Sequence, residues 1–374
     1  MTDFEDKLGL LRNEIDEIDS KLVDLLAQRL AVTTKVGQLK SQHGVPIYAP
    51  DREAMLVAKR REQAVVNGVS PQLIEDILRR MMRDSYLSQD SSGYQCVNPH
   101  CSKVVIIGGA GQLGSIFVDL FKRSNYQVAI LEQDDWLNSD VVLKDASLVL
   151  VAVPIRHTQS VIEKLTNLAD DCILADVTSI KNSPLKSMLA VHQGPVVGLH
   201  PMFGPDVTGL LKQTIITCDG RSAEKYHWLL EQFRVWGAKI YPVQASDHDQ
   251  AMAMVQVMRH FSTIAYGSHL MNEAVDLPKL IDMSSPIYRL ELMMVGRLFA
   301  QDPVLYADII FANNDNVAMM KRFAHNFLDL LTQVEQGDKQ GFIDTFAQVS
   351  QWFGSYADIF LKESQSLLQK ANEM

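Results

Sequence analysis

The sequence has few cysteines, no long apolar run and no surplus of positive charge, and each shortage removes a class of protein. Four cysteines, at 96, 101, 172 and 218, in 374 residues are too sparse for a disulfide-built fold. Cys96, His100 and Cys101 do cluster, but their spacing fits no usual zinc pattern and no metal site is expected. No run reaches the roughly 18 apolar residues that cross a bilayer. The opening MTDFEDKLGLLRNE lacks the apolar centre of a secretory signal, so the chain reads as cytoplasmic with no membrane partner. A formal charge of −10 leaves no basic surface for nucleic acid. Small anions remain admissible, because a few arginines in a pocket can hold one. No internal repeat is visible. With 47% hydrophobic and 21% charged residues, the chain can bury two or three ordinary cores.

Residues 8–39 place Leu8, Leu11, Ile15, Ile18, Leu22 and Leu25 on the heptad-like stripe of one long helix. A helix of about nine turns does not stand alone and must pack on another helix or a second subunit. A second helix opens at Pro50, a residue suited to the first helical position, and runs to Gly68. A third has Ser70 as N-cap and Pro71 in its first turn. Residues 1–90 therefore read as an all-helical domain and 91–102, rich in Ser, Asn and Gly, as a linker. Beyond it, short β-branched runs at 103–107, 127–131, 148–153, 172–177, 195–199 and 214–218 alternate with helical stretches. That alternation predicts an α/β Rossmann-type domain with a parallel sheet over 103–244. Helices at 247–271, 285–300, 306–335 and from 339 onward predict an all-α third domain over 245–374.

Three motifs carry chemistry in the second region. Gly109-Ala110-Gly111-Gln112-Leu113-Gly114 follows the first strand and opens a helix, the context in which a glycine loop lets backbone approach a pyrophosphate. Gly109, Gly111, Gln112, Leu113 and Gly114 are thus candidate cofactor contacts. Glu132 closes the second strand, where a carboxylate accepts hydrogen bonds from ribose hydroxyls and repels a 2′-phosphate, favouring NAD over NADP. Asp176-Val177-Thr178-Ser179-Ile180-Lys181 and Gly198-Leu199-His200-Pro201-Met202-Phe203-Gly204-Pro205 end two further strands, on the side where such sheets bind ligands.

The glycine loop, the D-x-x-S-x-K segment, LHPMFGP and the downstream VGRLFAQDP together resemble prephenate dehydrogenases. The resemblance implies NAD-dependent oxidative decarboxylation of prephenate to 4-hydroxyphenylpyruvate, with CO2 and NADH formed. It gives His200 as acceptor of the ring-hydroxyl proton, Ser179 as a hydrogen-bond partner of that hydroxyl, Lys181 as a substrate contact and Arg297 as the anchor of a substrate carboxylate. The spacing Leu290, Met294, Arg297 sets that guanidinium on an apolar helix face, where an unpaired charge is costly. An internal salt bridge with Glu291 or another acid is the competing reading. Such enzymes often have a tyrosine feedback site; His248 and His260 are candidates to line that site or the substrate pocket, or are plain core or surface histidines.

In the first region, Leu8, Ile15 and Leu22 share a heptad position whose next member is Arg29, a charge in an apolar seam that needs a partner. Arg12 and Lys40 share a neighbouring position about 42 Å apart along the helix. Two such helices running antiparallel would bring Arg12 of one beside Arg29 and Lys40 of the other, predicting a homodimer with a shared pocket. Ser85 and Gln89 lie on the face of Leu78 and Met82 in the third helix. These positions resemble the all-helical chorismate mutases, and the whole chain resembles the bacterial fusions of that enzyme to prephenate dehydrogenase. The resemblance makes Arg12, Arg29, Arg52, Glu53 and Ser85 substrate contacts, and Lys40 and Gln89 the donors to the breaking ether bond. Ala49 stands where some members carry an acid. Two other readings stay open: helices that only dimerise a single-activity NAD enzyme, and an NAD-binding sensor without catalysis.

Overall fold

A computed structural model of the chain describes residues 2–43, 45, 48–90, 93–207, 209–313 and 315–372. The chain divides into two compact units, one running up to Val153 and from His157 to Ala245, the other made of Pro154–Arg156 and the chain from Ser246 onward.

The first unit opens with three helices: α1 (Thr2–His43), α2 (Pro50–Val66) and α3 (Pro71–Asp90). Pro50 and Pro71 occupy the first positions of their helices, and Ser70 Oγ accepts from Leu73 N, as N-cap chemistry dictates. Along α1 the apolar stripe is uncovered: Leu11, Ile15, Ile18 and Leu22 are all more than half exposed. A 42-residue helix with such a seam lacks its packing partner within the described chain.

The sheet follows as β1 (Val104–Ile107), β2 (Val128–Leu131), β3 (Leu148–Val151), β4 (Ile173–Asp176), β5 (Val196–Pro201), β6 (Thr214–Arg221) and β7 (Lys239–Pro242), in spatial order β2-β1-β3-β4-β5-β6-β7. Alternate residues feed two cores. Val104, Ile106, Leu148 and Leu150 pack on one face with Phe117, Phe121, Phe233 and Trp236; Val105, Ile107, Val149 and Val151 pack on the other with Ile162 and Met188. Each such side chain, fully buried, contributes about 1.5–3 kcal/mol.

The expectation of a parallel sheet holds from β2 to β5 and fails at β6, which runs antiparallel to β5. The described residues between β5 and β6 contain no helix to make a parallel crossover. The helix Ala223–Val235 then supplies one, and β7 pairs parallel with β6. This seventh strand gave no sequence signal because it is a short edge strand with only Ile240 partly buried in its core and with Pro242 at its end. The expected linker has no helix or strand over 93–102, yet it does not hang free. Tyr94 is buried against Trp236, and Gln232 bridges Gln95 O and Val97 N.

In the second unit the helix expected at 247–271 runs as Ala245–Met252 and Arg259–Asn272 joined by a π-helical stretch, Ala253–Met258. The helix expected at 306–335 is two, Pro303–Phe311 and Asp315–Glu335, because Asn313 Oδ1 accepts from Asp315 N and starts the chain afresh. The final one likewise breaks into Lys339–Phe353 and Ser355–Asn372 at Gly354, φ +52°. Leu277–Asp282 and Pro286–Phe299 complete the set. The buried core is small, centred on Val257, Ile309, Ile310 and Met319, whereas Phe327, Phe346 and Trp352 are largely exposed. Among the described residues no helix is long and apolar enough to cross a membrane.

Candidate active sites

Strands β1 to β5 end on one edge of the sheet, and the motif residues of the first unit lie there. Between β1 and the helix α4 (Gln112–Arg123) the glycine loop turns tightly. Gly108, which the motif did not single out, has φ +81°, and a β-carbon on it would meet Ala152 O at 2.5 Å. A β-carbon on Gly114 would meet Gly108 O at 2.2 Å, so the loop closes only with glycine at both positions. Gly111 caps α4. The first-turn N–H groups of Gln112, Leu113 and Gly114 have no intrahelical acceptor, a ready anion seat. Glu132 Oε1 accepts from Ala110 N at 2.8 Å, and Glu132 also caps the short helical turn Gln133–Asn138 in a reciprocal box with Asp135. Its carboxylate is held against the loop it was expected to serve, with lone pairs left for a ribose hydroxyl.

At the end of β4, Asp176 Oδ2 accepts from Thr178 N at 3.0 Å, from Thr178 Oγ1 and from Lys181 Nζ. Thr178 Oγ1 also reaches Ile180 O at 3.1 Å. This brace holds the turn that carries Ser179, which is only partly buried. Lys181, expected as a neighbour of the nicotinamide and substrate, takes part in this brace. Both it and Asp176 are fully buried, and its ammonium also donates to Leu199 O at 2.7 Å. A buried ammonium satisfied by a carboxylate and a carbonyl is a clamp; here it ties the Ser179 turn to the residue before His200. His200 lies buried near the carboxyl end of β5.

In the second unit, Arg297 is exposed on the helix Pro286–Phe299, and Met294 on the same face is 52% exposed. The cost of burying its charge therefore does not arise within one chain. His248 is fully buried beside Asp249, Nδ1 to Oδ1 2.8 Å. His260 is buried with no partner for Nδ1 and stands edge-on to Tyr306; burial pushes its pKa down to about 4, so the ring stays neutral.

A second cluster forms among the first three helices. Arg29 Nη1 donates to Ser85 Oγ at 2.7 Å and to Met81 O at 3.4 Å, joining α1 to α3. Next to Ser85, Tyr86 donates to Glu53 Oε1 at 2.6 Å, joining α3 to α2. Lys40 is half-buried, and desolvation holds its ammonium below the ordinary lysine range; a neighbouring anion would act in the opposite direction. Arg12 and Arg52 are exposed. Arg12 lies about 42 Å from Lys40 along α1. The side chain of Gln89 lies outside the described residues. Tyr86 was not singled out in the sequence; its role shows only when α2 and α3 are packed. Among the described residues no group of acidic, histidine and cysteine side chains could hold a metal ion, and burial pushes the Cys101 thiol up to about 11.

Comparison with known proteins shows the family of the chain. Chorismate mutase type II matches residues 11–90, the nucleotide-binding domain of prephenate dehydrogenase matches 124–219 and its dimerization domain 244–348. The chain is 52% identical to the T-protein of Enterobacter agglomerans over 98% of both chains, and 48% identical to that of Haemophilus influenzae over 99% of both. The chain belongs to the T-protein family. It is a bifunctional enzyme of tyrosine biosynthesis, a chorismate mutase joined to a prephenate dehydrogenase. Neither the single-activity reading nor the non-catalytic sensor survives this. The fold is shared with the prephenate dehydrogenase of A. aeolicus, solved with hydroxyphenyl propionate and NAD+, at TM-score 0.55 and 17% identity over 67% of this chain and 96% of that one.

Proposed function

We infer that the two reactions of the family run in two pockets built from different segments of the chain: 1–90 as the mutase domain, 91–102 as the join, 103–244 as the NAD domain and 245–374 as the substrate-binding and dimerisation domain. The observation that carries the dehydrogenase assignment is the convergence of the glycine loop, Ser179 and His200 on one edge of the sheet. For the mutase it is the Arg29–Ser85 contact beside Glu53.

In the helical pocket, Arg29 and Arg52, with Arg12 of the second subunit, hold the two carboxylates of chorismate in the folded conformer that the rearrangement needs. Lys40 and Gln89 donate to the ether oxygen as charge develops there. In the second pocket NAD fits the free N–H groups of α4 and the Glu132 carboxylate, and when bound supplies the hydride acceptor. Ser179 orients the ring hydroxyl of prephenate and His200 takes its proton as the carbon beneath loses hydride. Loss of the ring carboxylate as CO2 completes the aromatic ring. Arg297 holds the remaining carboxylate.

Two variants test the binding roles. Glu132→Ala is expected to weaken NAD by about tenfold or more, the worth of hydrogen bonds to a charged group, and to narrow the preference over NADP. An unchanged NAD/NADP ratio of kcat/KM would reduce Glu132 to its contact with Ala110. Arg297→Ala should raise the prephenate KM at least about tenfold with kcat little changed, because a carboxylate anchor acts alike in ground and transition states. A wild-type KM in a folded variant hands Arg297 to the internal salt-bridge reading.

The uncovered seam of α1 and the exposed aromatic residues of the last helices support a homodimer, since surfaces of that size are covered in solution. The free thiols Cys96 and Cys101 suit the cytoplasm. Tyrosine, the end product of the route, is the feedback ligand implied by the family resemblance; added tyrosine should inhibit the dehydrogenase.

A further inference from the structure

Glu53 is engaged from two regions of the first unit at once. Its Oε1 accepts from Tyr86 and its Oε2 from Lys212 Nζ at 2.8 Å. Lys212 lies 159 residues further along the chain, in the stretch that leads into β6. Its backbone sits at φ +61°, a left-handed conformation that a β-carbon disfavours, and is pinned there by Lys212 N donating to Gly237 O at 3.0 Å. Its ammonium also stands 5.0 Å from the centre of the Tyr48 ring and 5.9 Å from that of Tyr86. The two rings meet edge to face. The Glu53 carboxylate is therefore fixed at both oxygens, and the lysine that fixes it is itself held by an unusual backbone and two aromatic faces.

An exposed ion pair contributes little to stability, and Lys212 is 42% exposed. Glu53 is the buried partner, at 10%, and through Tyr86 it adjoins Ser85 and Arg29. What the lysine governs is thus where the carboxylate points. Each carboxylate oxygen has a second lone pair, free for a hydroxyl in the pocket. Burial and the contact with Glu53 raise the Tyr86 pKa, which keeps the phenol a donor over the whole working range.

We propose that Lys212, from the dehydrogenase part of the chain, is a positioning residue for the mutase: with Tyr86 it aims the Glu53 carboxylate at a hydroxyl of chorismate in the helical pocket. The proposal rests on the reading of Glu53 as a substrate contact. It makes the mutase dependent on a side chain that no mutase segment supplies.

The test is a double-mutant cycle on the full-length enzyme, reading mutase kcat and KM with dehydrogenase activity as an internal control. Lys212→Met should lower mutase kcat/KM by about tenfold, the scale of a misplaced reacting group discounted for solvent exposure. Lys212→Arg, which can still pair and stack, should recover most of it. In a Glu53→Gln background Lys212→Met should add nothing, since there is no carboxylate left to aim. Full mutase activity in Lys212→Met, or an equal loss with and without Glu53, overturns the proposal and leaves the pair a tether. Should Glu53→Gln alone leave the mutase at wild type, the reading of Glu53 as a substrate contact falls as well. A slow Glu53→Gln beside a normal Lys212→Met sinks only the role of the lysine.

Discussion

Replacing His200 by asparagine lowers the dehydrogenase kcat by about 10²- to 10⁴-fold, the usual worth of a general base, while chorismate mutase continues at its wild-type rate. Asparagine keeps a hydrogen-bonding side chain of smaller size, so β5 and its pairing with Ile216 on β6 have no reason to rearrange. What is lost is a group that can take up the proton of the ring hydroxyl while hydride leaves the same carbon. The pH profile separates this from a packing defect. In the wild type only neutral imidazole accepts a proton, so dehydrogenase activity falls as acid protonates the ring. The asparagine variant should lack that acidic limb and keep its residual rate nearly level. A variant as fast as the wild type, or one with the acidic limb unchanged, would remove His200 from the proton-transfer step.

The position of Lys181 shows where reading the chain by motif reaches its limit. The D-x-x-S-x-K spacing correctly puts its residues in one turn at the end of a strand, because that depends on local chain geometry. Which way the ammonium points depends on Asp176 and on Leu199 O of the neighbouring strand, and no local pattern encodes that. The glycine loop was legible for the opposite reason: every constraint on Gly114, including its approach to Gly108 O, comes from six residues away or less. The long helix and its seam were visible because period 3.5 needs no tertiary information. The direction of β6 was not, since strand runs carry no sign of orientation, and only the missing crossover helix reveals it. Lys212 is the extreme case: an ordinary lysine in an irregular stretch, brought to Glu53 by the fold alone.

Arg29→Ala is expected to do to the mutase what His200→Asn does to the dehydrogenase. Within one chain the guanidinium spends Nη1 on Ser85 Oγ and Met81 O, which orients the fork and leaves its other donors for a carboxylate of chorismate. Removing it takes away both a charge that gathers the dianion and a fixed plane that selects the reactive conformer. The mutase kcat/KM should fall about 10²- to 10³-fold, or roughly 3–4 kcal/mol of transition-state stabilisation. Lysine at the same position restores charge without the planar fork and should recover only part of the loss. Because the same contact ties α1 to α3, helix content and the melting midpoint must be checked first; a folded variant with near-normal melting isolates the chemical effect. Dehydrogenase activity should then be unchanged, since its base and its anchor lie elsewhere in the chain. A folded Arg29→Ala with full mutase activity would make the arginine a helix tie only. If that substitution or His200→Asn abolished both reactions in a folded dimer, the two-pocket arrangement would give way to one site shared by both substrates.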